Sequence, residues 1–533
     1  MGRKLYFICS LLICLQVSDQ KSTPDSPSYI AAVVEFPPKQ EASSELGLRE
    51  NSESYVRIIK KAAEFQRADI IVFPEDGLTT TDLPGRDEIE SWTTLVPAVS
   101  ENYIPCLNDT IPVSQVLKNI SCAAQQNQIY VVINIAEKHP CEHKKHCAGD
   151  NTLYYNTNVA FDRNGKIIAR YRKTHLYLEP QFNVTTNPEI VTFDTDFGVT
   201  FGTFTCFDIL FKEPALTLTR KHQITDIIFT TAWFSELPFL TATQMQAGWS
   251  YAEDVNFLAS GYNRPEVGNS GSGIYMGRNG IAKITFPFET TEHYLAVDVL
   301  KKKKTTPSGD QSNSMKLEHV NTEYLSARAN DETRVKRAND VGELKLYHDD
   351  ITVFETAAFN TSTTKKICHN GFCCDFTVDI SHVDPASNYR FVVFNGLRTY
   401  SNIIFAGTRV CAVVQCANDT VASCGWSTKT SETTFKKIEI SGTFDNYDEI
   451  LVMPNTLTSP SLLPLNNFLF EEHKHEKHGH VTISKTEPVR NVLTFGLYCR
   501  EYSKDTYSAA SKNSMHNLLS LATIMYFIFY MYN

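Results

Sequence analysis

The feature that most constrains this chain is a series of apolar, β-branched runs that alternate with helix-like segments between Tyr29 and Val299. The first of these runs are IAAVVEF, DIIVFP and IYVVINIAE, and helical stretches at 55–66 and 116–126 lie between them. Strands this uniformly apolar are buried on both faces, which is typical of α/β folds. The pattern predicts a layered α-β-β-α sandwich over residues 27–300, and it leaves a single doubly wound sheet open as the alternative.

A hairpin is predicted inside this domain. Residues 156–173 (NTNVAFDRNGKIIARYRK) contain an Asn164-Gly165 pair between two apolar segments. Asn-Gly is the dipeptide that a tight hairpin turn prefers, because both of its residues accept positive φ. Further buried strands are expected at VTFGTFTCF, DIIFTTAW and NFLASGY.

The composition changes after the α/β segment. Residues 301–340 are polar, charged and rich in turn formers, which indicates a linker or exposed loop. Residues 341–502 contain strands separated by turns and are predicted to form a second, mainly β domain. This domain includes EEHKHEKHGH at 471–480, which we interpret as a solvated polar loop, with metal binding as the alternative.

The first residues resemble a secretory signal. Arg3 and Lys4 precede an apolar run at 5–17 that is too short to span a bilayer. We therefore expect residues 1–20 to be a signal peptide.

The last residues indicate a lipid anchor. The apolar tail at 518–532 would reach only about 22 Å as a helix, short of the hydrocarbon core, and a polar spacer and small residues precede it. This arrangement predicts a GPI anchor attached at Ser508, with residues 509–533 as the propeptide, and a single-span tail is the alternative. The expected location is the extracellular face of the plasma membrane, or the extracellular fluid if the protein is secreted.

Sequons and cysteines agree with this route. Five N-x-S/T sequons predict glycosylation at Asn108, Asn119, Asn183, Asn360 and Asn418. Of the 14 cysteines, two lie in the expected signal peptide, and most of the others should form disulfides in an oxidising compartment. Cys141 and Cys147 flank a short polar loop and are expected to pair. The net charge of −10 and the lack of a basic tract argue against nucleic acid as a partner.

Three reactive side chains follow three predicted strands. Glu75 comes directly after DIIVFP, Lys173 ends KIIARYRK, and Cys206 ends VTFGTFTC. Strand ends are where catalytic groups meet in α/β sheets. A carboxylate can take the thiol proton as the sulfur attacks a carbonyl carbon, and an ammonium can stabilise the resulting oxyanion. The trio predicts amide hydrolysis through a thioester, with no metal or organic cofactor.

These segments resemble a known family. The strings IIVFPEDG, YNTNVAFDRNGKIIARYRKTHLY, FGTFTCFDILFKEPALTL and TAWFSELPFLTATQMQAGWSYAEDVNFLAS are similar to the vanin and biotinidase branch of the nitrilase-like carbon–nitrogen hydrolases. The resemblance implies Glu75 as base, Lys173 as the oxyanion-stabilising cation and Cys206 as nucleophile, with Glu179 orienting the lysine. It also implies a nitrilase-like catalytic sandwich followed by a β-rich accessory domain.

The resemblance leaves the substrate open. A lipid-anchored member favours hydrolysis of pantetheine to pantothenate and cysteamine, and hydrolysis of biocytin or biotinyl amides is the alternative. A third hypothesis, of a different class, is a catalytically silent cell-surface binding or adhesion protein. The expected partner is a small-molecule amide, and the sequence does not indicate an oligomeric state.

Overall fold

The computed structural model describes residues 21–41, 43–141, 147–302, 344–401, 403–426 and 430–507. The expected signal peptide, Ser508, the propeptide and nearly all of the expected linker lie outside the described residues. Within the described part of the chain, the model contains no helix with the length and apolar character needed to cross a membrane.

The described residues of the N-terminal domain contain thirteen strands in chain order. They are β1 (Ser28–Glu35), β2 (Ile70–Val72), β3 (Tyr130–Pro140), β4 (Thr152–Phe161), β5 (Ile167–Arg172), β6 (Thr192–Asp194), β7 (Thr200–Thr205), β8 (Asp226–Thr231), β9 (Glu236–Leu237), β10 (Asn256–Gly261), β11 (Ser272–Met276), β12 (Ile281–Thr285) and β13 (His293–Leu300).

Twelve of these strands form two six-stranded sheets. Their orders are β13-β1-β2-β3-β4-β5 and β12-β11-β10-β8-β7-β6. Strands β1, β2 and β3 are mutually parallel, as are β7, β8 and β10. Apolar side chains from both sheets form one core between them, including Val33, Val72, Phe201 and Ile228. The observed architecture is therefore the two-sheet sandwich, and the single doubly wound sheet is excluded.

Helices cover the outer face of the first sheet. Helices α1 (Ser44–Gln66) and α2 (Gln115–Asn127) pack their apolar side chains against alternate residues of β1, β2 and β3. Ser114 caps the start of α2, because its hydroxyl accepts a hydrogen bond from the Leu117 amide at 3.3 Å. Helix α1 starts eleven residues before the predicted stretch at 55–66 because Gly47, Asn51 and Ser52 are also buried on its inner face.

The outer face of the second sheet is covered differently. Helix α3 (Ala242–Glu253) lies there, and its Met245 and Trp249 join a core that also contains Met453 and Leu457 of the C-terminal domain. Among the described residues, the fourth layer of this sandwich therefore consists of helix α3 and part of the second domain. The predicted hairpin is confirmed, since β4 and β5 pair antiparallel and Gly165 adopts a φ of 75° in the turn.

The C-terminal domain is a sandwich of antiparallel strands. After β14 (Tyr347–His348), which pairs with β9, the strands are β15 (Glu355–Phe359), β16 (Thr363–His369), β17 (Phe372–His382), β18 (Asn388–Tyr400), β19 (Ile404–Cys416), β20 (Thr434–Asp445), β21 (Leu451–Thr458), β22 (Leu469–His475), β23 (His478–Lys485), β24 (Val492–Arg500) and β25 (Thr506–Tyr507).

These strands form two sheets around one apolar core. The orders are β15-β18-β19-β24-β21, with β25 against β19, and β16-β17-β20-β23-β22. The core between them includes Phe376, Val413, Ile440 and Phe495. The interpretation of 471–480 as a loop is wrong, because most of this segment lies in the antiparallel strands β22 and β23. Few of the residues on the core-facing side of this segment are both buried and apolar. Hydropathy therefore did not reveal the strands.

Buried polar contacts join the two domains. The amide of Asn455 donates to the Phe239 carbonyl at 2.8 Å and its carbonyl oxygen accepts from Gln244 at 2.8 Å. The guanidinium of Arg500, which is fully buried, donates to the Leu210 carbonyl at 3.0 Å. Buried groups paired this completely fix one relative position of the domains.

Five disulfides are present among the described residues: Cys106–Cys122, Cys141–Cys147, Cys368–Cys373, Cys374–Cys411 and Cys416–Cys424. The predicted Cys141–Cys147 pair is confirmed. Cys206 and Cys499 are free thiols and both are buried. If Cys206 is kept as a free thiol, an odd number of cysteines remains outside the expected signal peptide, so one more cannot form an intramolecular disulfide. Among the described residues, that second free cysteine is Cys499.

All five sequon asparagines lie in described segments. Asn360 and Asn418 are exposed, and Asn108, Asn119 and Asn183 are half-buried. Glycosylation at these positions stays a prediction.

Candidate active site

The three reactive residues lie just beyond the ends of strands from both sheets. Glu75 follows β2 and Lys173 follows β5 in the first sheet, whereas Cys206 follows β7 in the second. Strand β5 runs parallel to β3, because each is antiparallel to β4. The carboxyl ends of these strands therefore open on the same edge of the sandwich. Glu75 and Lys173 are in contact there, and both interact electrostatically with the Cys206 thiol.

An ammonium between two carboxylates forms the centre of the site. Lys173 Nζ lies 2.6 Å from Glu75 Oε1 and also contacts Glu179 Oε2. The side chains of Lys173 and Glu75 are each 2% exposed, and that of Glu179 is 11% exposed. Both carboxylates are therefore in place to orient the lysine, and Glu179 is the partner nearer to solvent.

Two further donors fix the position of Glu75. The Asn156 amide donates to Glu75 Oε1 at 2.9 Å and to Glu179 Oε1 at 2.7 Å. The backbone N–H of Ala232, just after β8, donates to Glu75 Oε2 at 2.8 Å. Both oxygens of Glu75 are thus engaged, one by the first sheet and one by the second. The carboxylate joins the two sheets at the site.

Cys206 occupies a backbone conformation that few side-chain-bearing residues adopt. Its φ is 46°, and a 3₁₀ turn, Cys206–Leu210, follows at once. Asp208 braces this turn, accepting hydrogen bonds from the Thr205 amide at 3.1 Å and from the Tyr171 hydroxyl at 2.6 Å. A positive φ held by the surrounding structure is a form of strain found at functional sites. The turn carries the thiol past the end of β7.

Burial and the neighbouring charges together set the protonation of the thiol. Burial, followed by the charge of Glu75, raises the pKa of the Cys206 thiol well above its ordinary value, and Lys173 acts in the opposite direction. Burial also raises the pKa of the Glu75 carboxyl, against the lowering effect of Lys173. The resting sulfur is therefore a neutral thiol beside a carboxyl whose proton affinity is increased.

Lys173 itself remains charged. Burial lowers the pKa of its amino group, but Glu179 and Glu75 outweigh burial and raise the pKa well above its ordinary value. The site thus offers a permanent cation, a carboxyl and a thiol in a buried setting, where electrostatic interactions are stronger than in water. This combination suits nucleophilic attack on a carbonyl group.

Aromatic rings and the C-terminal domain border the site. The Tyr177 ring lies 5.0 Å from that of Phe207, the residue after Cys206, and 6.0 Å from that of Phe234. The Tyr177 hydroxyl lies 2.6 Å from Ser401 Oγ, which follows β18 of the C-terminal domain. The second domain therefore contributes to the wall beside the thiol.

Sequence reasoning missed the amides that support the site. Asn134, Asn156 and Asn158 lie in β3 and β4, and Asn134 Nδ2 donates to Asn156 Oδ1 at 2.6 Å and to Asn158 Oδ1 at 3.0 Å. Asn158 then donates to Thr203 of the second sheet at 3.0 Å. The signal was present in the sequence, because polar residues at alternate positions of an apolar strand indicate a buried polar network.

Comparisons with known proteins assign both domains to described families. The carbon-nitrogen hydrolase family model matches residues 30–252, and the model of the vanin C-terminal domain matches residues 344–505. Vanin-like protein 1 of Drosophila melanogaster is 35% identical over 514 residues, which cover 92% of this chain and 88% of the fly protein. The chain belongs to the vanin family.

Mammalian vanin relatives carry a functional name. Pantetheinase of Mus musculus is 34% identical over 88% of this chain and 87% of its own length. Pantetheinase of Homo sapiens is 33% identical over 85% of this chain and 83% of its own length. This vanin-family chain is therefore a hydrolase acting on carbon–nitrogen bonds, with a nitrilase-like sandwich and the family's mainly β C-terminal domain.

Proposed function

We propose that this vanin-family protein hydrolyses the amide of pantetheine to pantothenate and cysteamine, with Cys206 as nucleophile, Glu75 as base and Lys173 as oxyanion-stabilising cation. The observation that carries the proposal is the contact of one buried carboxylate, Glu75, with the ammonium of Lys173, next to a free thiol. The thiol takes no part in any disulfide, although ten other cysteines in the described residues do.

Acylation begins with proton transfer. Glu75 takes the thiol proton as the Cys206 sulfur bonds to the amide carbon. The carbonyl oxygen becomes an oxyanion, which the Lys173 ammonium and the backbone N–H after the nucleophile stabilise. The tetrahedral intermediate then breaks its carbon–nitrogen bond, and Glu75 returns the proton to the departing amine. Cysteamine leaves, and the acyl group stays on sulfur as a thioester.

Deacylation uses the same groups. Glu75, now ionised, removes a proton from a water molecule that attacks the thioester carbon. Lys173 again faces the oxyanion. The carbon–sulfur bond breaks, the thiolate recovers the proton from Glu75, and pantothenate is released. The raised proton affinity of the Glu75 carboxyl favours both transfers, because an acid–base group works best when its pKa is close to the ambient pH.

The choice of pantetheine rests on the named relatives, whereas the triad suits any linear amide. The test is to incubate the purified chain with pantetheine and biocytin side by side, using Cys206→Ser as the control. We expect equal amounts of pantothenate and cysteamine and no free biotin. Free biotin without cysteamine would make the protein a biotinidase-type amidase. Inactivity toward both amides, with the Cys206→Ser protein keeping every cell-surface effect, would favour a silent binding protein.

We also propose that the protein acts outside the cell, on the plasma membrane through a GPI anchor at Ser508. The five disulfides support an oxidising compartment. Release of the protein from intact cells by a phosphatidylinositol-specific phospholipase tests the anchor, and Ser508→Leu is the matched variant. Retention on the cell surface after treatment would point to a single-span tail.

A further inference from the structure

The histidine-rich segment forms an ordered array on the C-terminal domain. In the β22–β23 hairpin, His473 lies opposite His480 and His475 lies opposite His478. Residues two apart on a strand, and residues directly opposite each other on paired strands, point to the same face of a sheet. The four imidazoles therefore share one face, and all four residues are exposed.

The spacing of this array suits a single ion. Opposite Cβ atoms in antiparallel strands are about 5 Å apart, and Cβ atoms two residues apart on a strand are about 6.6 Å apart. The four Cβ atoms thus form a rectangle, and an ion above its centre is about 4 Å from each Cβ atom in projection. A histidine side chain can span this separation with its ring nitrogen about 2 Å from the ion. The array can therefore deliver three or four nitrogen ligands to one point.

Two of the imidazoles already have side-chain partners, and one of these is a carboxylate of the kind that metal-binding histidines use. His478 Nδ1 lies 2.7 Å from Asp445 Oδ1, and His480 Nδ1 lies 3.2 Å from Thr443 Oγ1, both on the neighbouring strand β20. Metal ligands of this type pair one ring nitrogen with a carboxylate or other acceptor, which leaves the other nitrogen for the ion. In both residues Nε2 is the nitrogen that faces away from this partner.

The opposite face anchors the hairpin. Glu472 contacts Tyr447 and Arg278, and Lys474 Nζ lies 2.6 Å from Asp448 Oδ1. These contacts hold the backbone of β22, although it is the edge strand of its sheet. The hairpin is thus a fixed frame that carries four exposed side chains.

We propose that this face binds one borderline divalent transition-metal ion, of the Zn²⁺ or Cu²⁺ class, through His473, His475, His478 and His480. Imidazole nitrogen is a preferred ligand of these ions. The nearby carboxylates of Asp445 and Glu471, whose side chains lie on the same face by strand alternation, favour a cation. Within the described residues no three potential ligands are yet gathered around one point. Binding therefore includes rotation of the exposed rings into the site.

Zinc titration of the full-length mature chain tests the proposal. The protein carries no affinity tag and has Cys206→Ser, so that neither a tag nor the active-site thiol contributes. We expect one equivalent of Zn²⁺ to bind in the calorimeter at submillimolar concentration. The double variant His478→Gln/His480→Gln should bind at least tenfold more weakly. His382→Gln, which removes an exposed histidine of β17 in the same sheet, should bind as the parent does.

Two further measurements separate this site from incidental binding. Asp445→Asn keeps all four imidazoles and should weaken zinc binding about tenfold, because it removes the partner that orients His478. With Cu²⁺ in place of zinc, the electron paramagnetic resonance spectrum should show hyperfine coupling to at least three nitrogens. Absence of binding by the parent, or unchanged binding by the double variant, would overturn the proposal.

Discussion

The ammonium of Lys173 lies 2.6 Å from the carboxylate of Glu75, and both side chains are almost fully buried. A buried cation and anion in direct contact are costly to separate, because removing one leaves the other unpaired in a medium of low dielectric. The same contact places a positive charge next to the carboxylate that, in the proposed mechanism, exchanges protons with the thiol. A substitution in this ion pair should therefore affect both the proposed catalysis and the local stability of the site.

Lys173 and Glu179 should differ in their effect on catalysis. Lys173→Met removes the proposed oxyanion-stabilising cation and should lower kcat/KM by about 10²- to 10³-fold. Glu179→Gln keeps a hydrogen-bond acceptor near Lys173 and should cost only about tenfold. Steady-state kinetics with pantetheine measures both, and circular dichroism checks the fold. An equal loss in the two variants would contradict the assignment of Glu179 as a positioning residue.

Asn156 should act on the protonation of Glu75. Its amide donates to Glu75 Oε1, and a hydrogen bond to a carboxylate favours the ionised form. In Asn156→Ala we expect kcat/KM to fall about 10- to 100-fold and the acidic limb of the pH–rate profile to move to higher pH. A profile measured from acidic to alkaline pH tests this. A loss of activity with an unmoved acidic limb would mean that Asn156 only supports the fold.

How far the site could be predicted depended on the range of the interactions. Glu75, Lys173 and Cys206 each follow an apolar run, so their positions at strand ends were visible locally. The hydrogen bond from Ala232 to Glu75 joins different sheets, and no local pattern specifies how two sheets face each other.

In the fold, too, features set by local interactions were predictable and features set by long-range interactions were not. The Asn164-Gly165 hairpin and the Cys141–Cys147 pair were predictable because each closes a short loop. Pairing of Cys374 with Cys411 joins strands of the two C-terminal sheets, and only tertiary structure decides it. The packing of α3 against the C-terminal domain was likewise invisible, because its apolar residues fit a one-domain core equally well.

Ser401 should affect substrate binding more than chemistry. It meets the Tyr177 hydroxyl at 2.6 Å beside the thiol, but it contacts none of the three reacting residues among the described hydrogen bonds. Ser401→Ala should raise KM for pantetheine several-fold and leave kcat within about twofold. Ser381→Ala, at an exposed position near the end of β17 in the same domain, is the matched control. A fall in kcat at unchanged KM would show that this contact serves the chemical step.

Glu35 should make stability depend on pH. This fully buried carboxyl accepts hydrogen bonds from the Gly271 amide at 2.9 Å and Asn263 at 3.1 Å, yet burial outweighs these contacts and raises its pKa from 4.5 to about 7. The folded state thus binds the proton more tightly than the unfolded state. The stabilisation is complete below about pH 4.5 and is lost as the pH rises through about 7.

Glu35→Gln, which mimics the protonated acid, tests this linkage. The free energy of unfolding of the parent should fall between about pH 5 and about pH 8 by up to about 3 kcal/mol more than that of the variant. Urea unfolding followed by tryptophan fluorescence measures the difference. Parallel pH dependences in the two proteins would show that Glu35 does not change its proton occupancy on unfolding.

The most direct test of the account is to trap the acyl-enzyme. The purified protein is mixed with excess pantetheine, quenched in acid within the first turnovers, digested and analysed by mass spectrometry. The account predicts a pantothenoyl group on the peptide containing Cys206, absent from Cys206→Ser and from the peptide containing Cys499. Turnover of pantetheine with no acyl group on Cys206, or a Cys206 found in a disulfide, would contradict it.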